Sequence, residues 1–450
     1  MSIDRREFIH EACGIGAGVA AMASASAVVH AAPASDKIIL ALVGARGRAL
    51  HLLRGFSSRA DCSIAYICDV DQSVMPTAMK AMAAENGPRP QLVQDFRRAL
   101  DDKSVDAVVI ATPDHWHALA TIWSCQTGKD VYVEKPVSHS PWEGRQMVEA
   151  ARKYGRVVQV GTQNRSAPYV LDAKKYIDSG KLGSIHLVKV FNQKYQENIS
   201  PMSETPPPSH IDWDMWQGPA THPGYSSNIH DHWNAFWKFS GGDIANDAVH
   251  QLDLARWMTG VDYPQTVYSV GGRFSDDGVS EMPCTQVAVY EFPKLLIVLE
   301  LTLYTPYMIK SDSLIRDTDM FPYWPQNTER IEFYGSKGLM VLGRMGAGWQ
   351  VFHRQQNRQV VVAAQSYGRF PDTDHQKNFV ESIRSRQAPN ADILEGHRST
   401  LLCQTANISY RLGGQKLAFD ASTETFVNNP AANRLLKREY RAPWVVPDRV

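Results

Sequence analysis

Six cysteines in 450 residues, at no regular spacing, exclude both a disulfide scaffold and a zinc ribbon. Cys13 falls in the N-terminal run without the neighbours of a lipidation site, and the other five are expected as buried thiols. Charge of one sign is also missing. Lys plus Arg and Asp plus Glu stand at 47 each, with no long block of either, so nothing here forms the electrostatic footprint of a nucleic-acid or anionic-membrane binder. No apolar run reaches the ~20 residues that cross a bilayer, and stable membrane insertion is not expected. Internal repeats and low-complexity tracts are absent after residue 31. What remains is a globular chain long enough for two domains with their own cores.

The N-terminus carries a pattern of its own. Arg5-Arg6 is followed by Glu7-Phe8-Ile9, by an uncharged Ala/Gly/Ser-rich run from Gly14 to Val29, and by Val29-His30-Ala31 with small residues suited to signal peptidase. Residues 1–31 read as a twin-arginine signal, which places the protein in the periplasm or otherwise outside the cytoplasm. Eleven Trp and seventeen Tyr are the other surplus. Flat aromatic faces with a polar handle suit sugar rings, although most such residues serve cores and interfaces.

From residue 36 to about 160, short apolar runs alternate with helix-length amphipathic stretches. Ile38 to Val43, Ser63 to Ile67, Asp106 to Ile110 and Asp130 to Val133 are expected strands; Arg48 to Phe56, Val74 to Ala84 and His117 to Gln126 are expected helices. Continuous Val/Ile runs between helices predict a doubly wound parallel sheet covered on both faces. Beyond Val160 the runs at Ser184 to Val190, Val267 to Gly272, Thr285 to Phe292, Leu295 to Leu303, Arg330 to Tyr334 and Gln359 to Ala363 follow one another with few helices between. Residues 161–450 are therefore expected as an α+β domain with a large, mainly antiparallel open sheet. An open sheet leaves a broad face to cover, so a homo-oligomer is expected. Residues 196–239, rich in Pro, His and Trp, are too long for a plain connection and read as a functional insertion or an oligomer arm.

The first strand ends in Gly44-Ala45-Arg46-Gly47 and opens into a helix. Glycines there let the backbone approach a pyrophosphate beside the positive helix N-terminus, and Arg46 borders it. The spacing fits only the last two glycines of the three-glycine fingerprint, since Leu42 stands where the first would fall, or else the turn is two residues short. Asp69 ends the second strand, where a carboxylate accepts from ribose hydroxyls and repels a 2′-phosphate, favouring NAD over NADP. Its alternative role is to cap a turn before Asp71.

Two further loops fall at strand carboxyl ends, where such sheets bind ligands: Ala111-Thr112-Pro113-Asp114-His115-Trp116-His117 and Glu134-Lys135-Pro136. With Thr-Pro-x-x-x-His and Glu-Lys-Pro at these positions, the chain resembles the glucose-fructose oxidoreductase / inositol dehydrogenase (Gfo/Idh/MocA) family. The likeness continues through Gly241-Gly242-Asp243-Ile244-Ala245-Asn246-Asp247-Ala248-Val249-His250-Gln251-Leu252-Asp253, His397-Arg398-Ser399 and Tyr440-Arg441-Ala442-Pro443-Trp444, nearly the whole length after the signal. The resemblance implies an NAD-dependent oxidoreductase acting on a carbohydrate. It implies Lys135 at the substrate hydroxyl beside the nicotinamide, His250 in proton transfer, and Gln163 and Arg165 bordering nicotinamide and sugar. Thr112, Pro113 and Glu134 are expected around the cofactor.

Oxidising a secondary alcohol needs a hydride acceptor over the carbon and a base on the hydroxyl. A desolvated Lys135 would have its pKa lowered toward that role. One helix is expected to bring Asn246, Asp253 and Trp257 to the face of His250, with Asp253 fixing its tautomer or merely satisfying a core histidine. The family often has Asp four residues before this histidine; Asn246 stands there, and Asp247 is turned about 100° away. Both are expected near the substrate. Two His-x-His pairs, His115/His117 and His230/His232, lack a zinc signature, so no metal is expected. Instead His117 is expected beside the cofactor and His230, His232 and Trp233 against the sugar. Outside the cytoplasm a dissociated NADH could not be reoxidised, whereas the twin-arginine route exports folded proteins with their cofactors. Two closed cycles follow: oxidation of one sugar and reduction of a second carbonyl compound, or glycoside hydrolysis by oxidation, elimination, hydration and re-reduction. A non-catalytic sugar-binding module is the third reading.

Overall fold

Strands that are apolar along their whole length must be covered on both faces. The computed structural model shows how, for residues 37–82, 88–221, 224–274, 278–311, 313–355 and 357–450; the expected export signal lies outside these described residues. The first half runs β1 (Ile38–Val43), α1 (Gly47–Ser57), β2 (Cys62–Cys68), α2 (Met75–Ala81), β3 (Gln91–Val93), α3 (Arg97–Asp101), β4 (Ala107–Ile110), α4 (Asp114–Gln126), β5 (Asp130–Val133), α5 (Pro141–Lys153) and β6 (Val158–Val160). The six strands form one parallel sheet in the order β3-β2-β1-β4-β5-β6. The pleat sends Leu40 and Leu42 of β1 to one face, against Leu52 and Phe56 of α1. Ala41 and Val43 go to the other, into the cluster of Trp116, Leu119 and Ile122 of α4. Helix α4 starts three residues before the expected His117, because Asp114 supplies a carboxylate to its first turn. His115, Trp116 and His117 are thus helical and buried rather than in a loop.

The second half comprises α6 (Pro168–Asp178), β7 (Ile185–Gln193), α7 (Trp213–Gln217), α8 (Ser227–Asp231), α9 (Asp243–Asn246), α10 (Ala248–Thr259), β8 (Thr266–Gly272), β9 (Thr285–Phe292), β10 (Leu295–Thr302), α11 (Ser313–Arg316), β11 (Arg330–Gly335), β12 (Leu339–Gly343), β13 (Trp349–Arg354), β14 (Val360–Ser366), α12 (Asp372–Ser385), α13 (Ile393–Arg411), β15 (Leu417–Asp420), β16 (Thr425–Phe426) and α14 (Pro430–Arg434). Ten strands form the second sheet, ordered β14-β13-β12-β11-β7-β10-β9-β8-β15-β16. All its neighbours are antiparallel except β7 and β10. One face buries Val188, Ala288, Ile297 and Phe333 with Leu252 of α10 and Leu402 of α13. The five described cysteines are buried free thiols.

After β14 the chain returns to the first sheet, before β15 and β16 close the second. Phe379 and Val380 of α12 complete the core under α1, and Ala391, Ile393, Trp444 and Val446 enter the core on the α4 side. The cover of the parallel sheet is therefore supplied from both ends of the described chain.

Candidate active site

Gly44 has φ +92, and a Cβ there would stand 2.6 Å from the carbonyl oxygen of Ala111, so only glycine lets β1 and β4 converge. Gly47, the first residue of α1, also has positive φ. Between them the N–H of Ala45 donates to Asp69 Oδ2 at 2.7 Å, and the N–H of Asp71 donates to Oδ1 at 2.9 Å. Asp69 thus clamps the glycine turn. Burial pushes its pKa up to about 6 against the pull of those amides. Each oxygen keeps a second lone pair, and Asp69 lines a cavity of about 250 Å³.

Arg46, Gly47, Thr112, Pro113, Glu134 and Lys135 line the same cavity. The hydroxyl of Thr112 is buried without a protein partner. Glycine backbone at a helix N-terminus, a ribose-ready carboxylate and an orphan hydroxyl fit a dinucleotide. Glu134 accepts from Arg48 Nε at 2.8 Å, and the same guanidinium forks onto Asp372 of α12 at 2.6 and 2.8 Å. Gly161 permits this, since a Cβ would come within 2.6 Å of Glu134 Oε2.

The 196–239 insertion forms the far wall, contributing Met215, Trp216, His230 and Trp233. It is tied to the segment after β2: the N–H of Asp212 donates to the carbonyl of Val70 at 2.9 Å, and that of Gln72 to the carbonyl of His210 at 3.0 Å. Trp116 Nε1 holds the carbonyl of Met215 at 2.9 Å. Trp213 stacks on Trp216 with centroids 4.5 Å apart. Arg46 pairs with Asp71 and lies 3.8 Å from Asp231 of the insertion.

Lys135 donates its ammonium to the carbonyl oxygen of Asn246 and, at 3.2 Å, to Asn246 Oδ1. Burial pushes the lysine pKa down, and Glu134 and Asp247 only partly counter it. His250 is buried, and its Nδ1 has no partner among the described residues. Burial, then Arg344 and Lys135, hold its pKa well below normal, so it is neutral at physiological pH. Asp253, its expected companion, is occupied elsewhere: Arg165 grips it at 2.8 to 3.0 Å and Ser399 donates to it at 2.6 Å. Nor do Asn246 and His250 share one helix, because Asp247, at φ −124, breaks α9 from α10.

Asp247 is buried among Lys194 at 3.0 Å, Arg344 at 3.4 Å and Lys310 at 3.8 Å. These cations outweigh burial and hold its pKa well below the usual range. Glu329 joins Arg344 and Lys310 at 3.1 and 3.2 Å. Lys194, Lys310, Glu329 and Arg344 have no signal in the sequence: three flank strand ends, Lys310 lies in the loop between β10 and β11, and the fold alone assembles them.

Of the expected residues, Gly44, Arg46, Gly47, Asp69, Thr112, Pro113, Glu134, Lys135, His230, Trp233 and Asn246 share the cavity lining. The others fall outside it. His117 directs its ring nitrogens to the carbonyls of Pro136 at 2.7 Å and Thr112 at 3.0 Å, bracketing two cavity loops. Gln163 is buried in the 3-10 turn Gln163–Ser166, Arg165 is committed to Asp253, and His232 is exposed. Asp247 and His250 are buried and are not among the lining residues, although both lie close enough to Lys135 to act on it electrostatically. Among the described residues no cluster of three His, Cys, Asp or Glu could hold a metal, and no helix is long and apolar enough to cross a membrane.

Residues 38–162 match the oxidoreductase family profile described as the NAD-binding Rossmann fold of the Gfo/Idh/MocA proteins, and 167–278 with 345–446 match its C-terminal alpha/beta domain. The chain belongs to the Gfo/Idh/MocA family. Its first domain is the family's NAD-binding one. Among similar Gfo/Idh/MocA proteins is scyllo-inositol 2-dehydrogenase (NAD(+)) of Bacillus subtilis, 28% identical over 40% of this chain and 42% of its own. Another is glycosyl hydrolase family 109 protein 1 of Shewanella sp. ANA-3, 27% identical over 34% and 38%. The chain spans less than half the length of these curated relatives. A solved levoglucosan dehydrogenase, in complex with NADH and levoglucosan, shares the fold with TM-score 0.62 at 18% identity, over 88% of this chain and all of that one.

Proposed function

We propose that the protein is an NAD-dependent oxidoreductase acting on a secondary hydroxyl of a sugar, polyol or glycoside, exported by the twin-arginine route with its cofactor aboard. The observation that carries the reading is Lys135: a desolvated lysine in a cavity whose lining fits a dinucleotide, held by a neutral amide rather than a carboxylate. Bound NAD supplies the hydride acceptor. The proton is the protein's task. A lysine whose ammonium is disfavoured by burial takes the hydroxyl proton at Nζ more readily than a solvated one. Neutral His250, its pKa held low and its Nδ1 without a partner among the described residues, is suited to pass a proton on rather than to keep it. The insertion anchored over the cavity supports retention of the cofactor through turnover, with a second carbonyl compound reduced to close the cycle.

The glycoside hydrolase reading is favoured by the similarity to glycosyl hydrolase family 109 proteins. It uses the same lysine and histidine and leaves net redox unchanged. Incubating the holoprotein with free sugars and with glycosides, while following nicotinamide absorbance and released aglycone, separates the two. Reduction of bound NAD by a free sugar supports the first; aglycone release without lasting reduction supports the second. Neither response from any sugar or glycoside, in protein that binds NAD, would leave only the non-catalytic sugar-binding module.

A further inference from the structure

A second cavity, of about 390 Å³, lies among the start of α5, the end of the insertion and helix α13. The activity proposed above uses none of it. Four cationic side chains line it, Lys238, Arg411, Lys437 and Arg438, against one acid, Glu439. Two of the four are engaged: Lys437 pairs with Asp448 at 2.5 Å, and Arg438 Nε with Glu143 at 2.6 Å. The other two have no ion pair among the described residues. Lys238 donates to the hydroxyl of Thr221 at 3.0 Å, and Arg411 lies over the ring of Trp237, 5.1 Å from its centroid, with Glu281 as the acid that acts on it.

The wall is also prepared for hydroxyls. Gln404, only 6% exposed, directs its Nε2 to the carbonyl of Ser138 at 2.9 Å, which fixes its Oε1 as an acceptor without a partner. Arg438 Nη1 is a buried donor without one. A buried polar atom left unpaired costs about 1–3 kcal/mol, and both atoms belong to side chains that line this cavity, so a rotation of either that brings it to a polar anion held by the cations would be repaid.

This cavity shares three stretches of chain with the cofactor cavity. Ser138 to Pro141 come just after Lys135, past Pro136 and Val137; Ala220 and Thr221 follow α7, whose Met215 and Trp216 line the cofactor cavity; Ser240 to Ala245 lead into Asn246, the acceptor of Lys135. Ser240 also donates to Asp114 of the cofactor cavity at 2.7 Å.

We propose that the second cavity binds a small polyhydroxy anion, a sugar acid or a sugar phosphate, and that its occupancy alters cofactor affinity through these shared segments. Calorimetric titration of the full-length holoprotein with glucuronate, glucose 6-phosphate, glucose and inorganic phosphate tests it. Saturable binding of either anionic sugar is expected, weakened at least tenfold by Arg411→Gln and partly restored in Arg411→Lys, with NAD binding intact in both. The same anion should change the NAD dissociation constant of apoprotein, and NAD should change the anion's by an equal factor. No binding of either anionic sugar overturns the proposal, as does equal affinity for glucose or inorganic phosphate. Binding that survives Arg411→Gln lies in the active cavity and overturns it too. All these results leave the oxidoreductase reading untouched, since that rests on NAD reduction by substrate.

Discussion

Lys135 and Asn246, 111 residues apart in sequence, meet at the edge of the cofactor cavity, the lysine ammonium between the amide oxygen and the backbone carbonyl of the asparagine. A carboxylate at that position would hold the proton on the lysine; an amide does not. Asn246→Asp should raise the Lys135 pKa by roughly one to three units, the usual effect of an opposite charge at this range. The basic-side rise of the pH–rate profile should move up accordingly, with activity at pH 7 reduced and recovered at higher pH. An unmoved profile would detach Lys135 from the rate-determining proton.

Lys135→Ala should leave dinucleotide binding nearly intact and slow substrate-dependent NAD reduction by ~10² to 10⁴. His250→Ala should act on the same step if the two form one relay, the double variant being little worse than either single one. Single-turnover absorbance measurements read both. Multiplicative losses would assign the residues to different steps, as the elimination chemistry of a glycosidase requires.

Asp69 yields a pH dependence of opposite origin. Its pKa is raised to about 6 in the folded protein, so the carboxylate is ionised above that pH and protonated below it. Only the ionised form accepts from both ribose hydroxyls while holding its two backbone amides. NAD affinity of the apoprotein should therefore fall as pH drops through 6. The raised value also means that the folded state binds the extra proton between pH 4 and 6, so the Asp69 contribution to apoprotein stability declines as pH rises through that window. At pH 7.5 NAD should bind more tightly than NADP by about 1–3 kcal/mol. Fluorescence titrations at several pH values check both.

The anchored insertion predicts that the protein purifies with dinucleotide bound, detectable after denaturation. Trp233→Ala should loosen it by roughly tenfold in dissociation constant, the scale of losing one well-packed aromatic.

How much of this was legible depended on whether the signal was local. Most of the parallel sheet could be read because β1, β2, β4 and β5 are short, nearly continuous apolar runs, and Gly44, Asp69 and Lys135 because they follow strand ends; β3, only Gln91–Val93 with two residues exposed, carries no such signal. Helix α13 could not, since it is buried on almost every side and shows no apolar stripe. Arg165 sits in a motif-like stretch, yet its charge is consumed by Asp253, a pairing 88 residues distant that no spacing rule reveals. The Lys194–Asp247–Arg344–Glu329 group is likewise a product of sheet order.

The outer face of the second sheet exposes Tyr268, Val270, Val287, Leu296, Val360 and Val362. Such a face on a ten-stranded sheet is expected to be covered by a second copy. Sedimentation at micromolar concentration should give a mass of at least a dimer, and Val287→Lys with Leu296→Lys should lower it. A monomer in the unaltered protein would contradict the expectation.

Phe379, Ile393, Trp444 and Val446 complete the two faces of a sheet whose first strand is Ile38–Val43. During synthesis the nucleotide-binding half therefore emerges hundreds of residues before the side chains that seal it. Until the last segment is made, its apolar faces stay open to water and to other chains. A stop near residue 370 should leave an aggregating fragment rather than a working nucleotide binder, and a quality check that passes only finished proteins would read the state of this sheet as a measure of whether translation has ended.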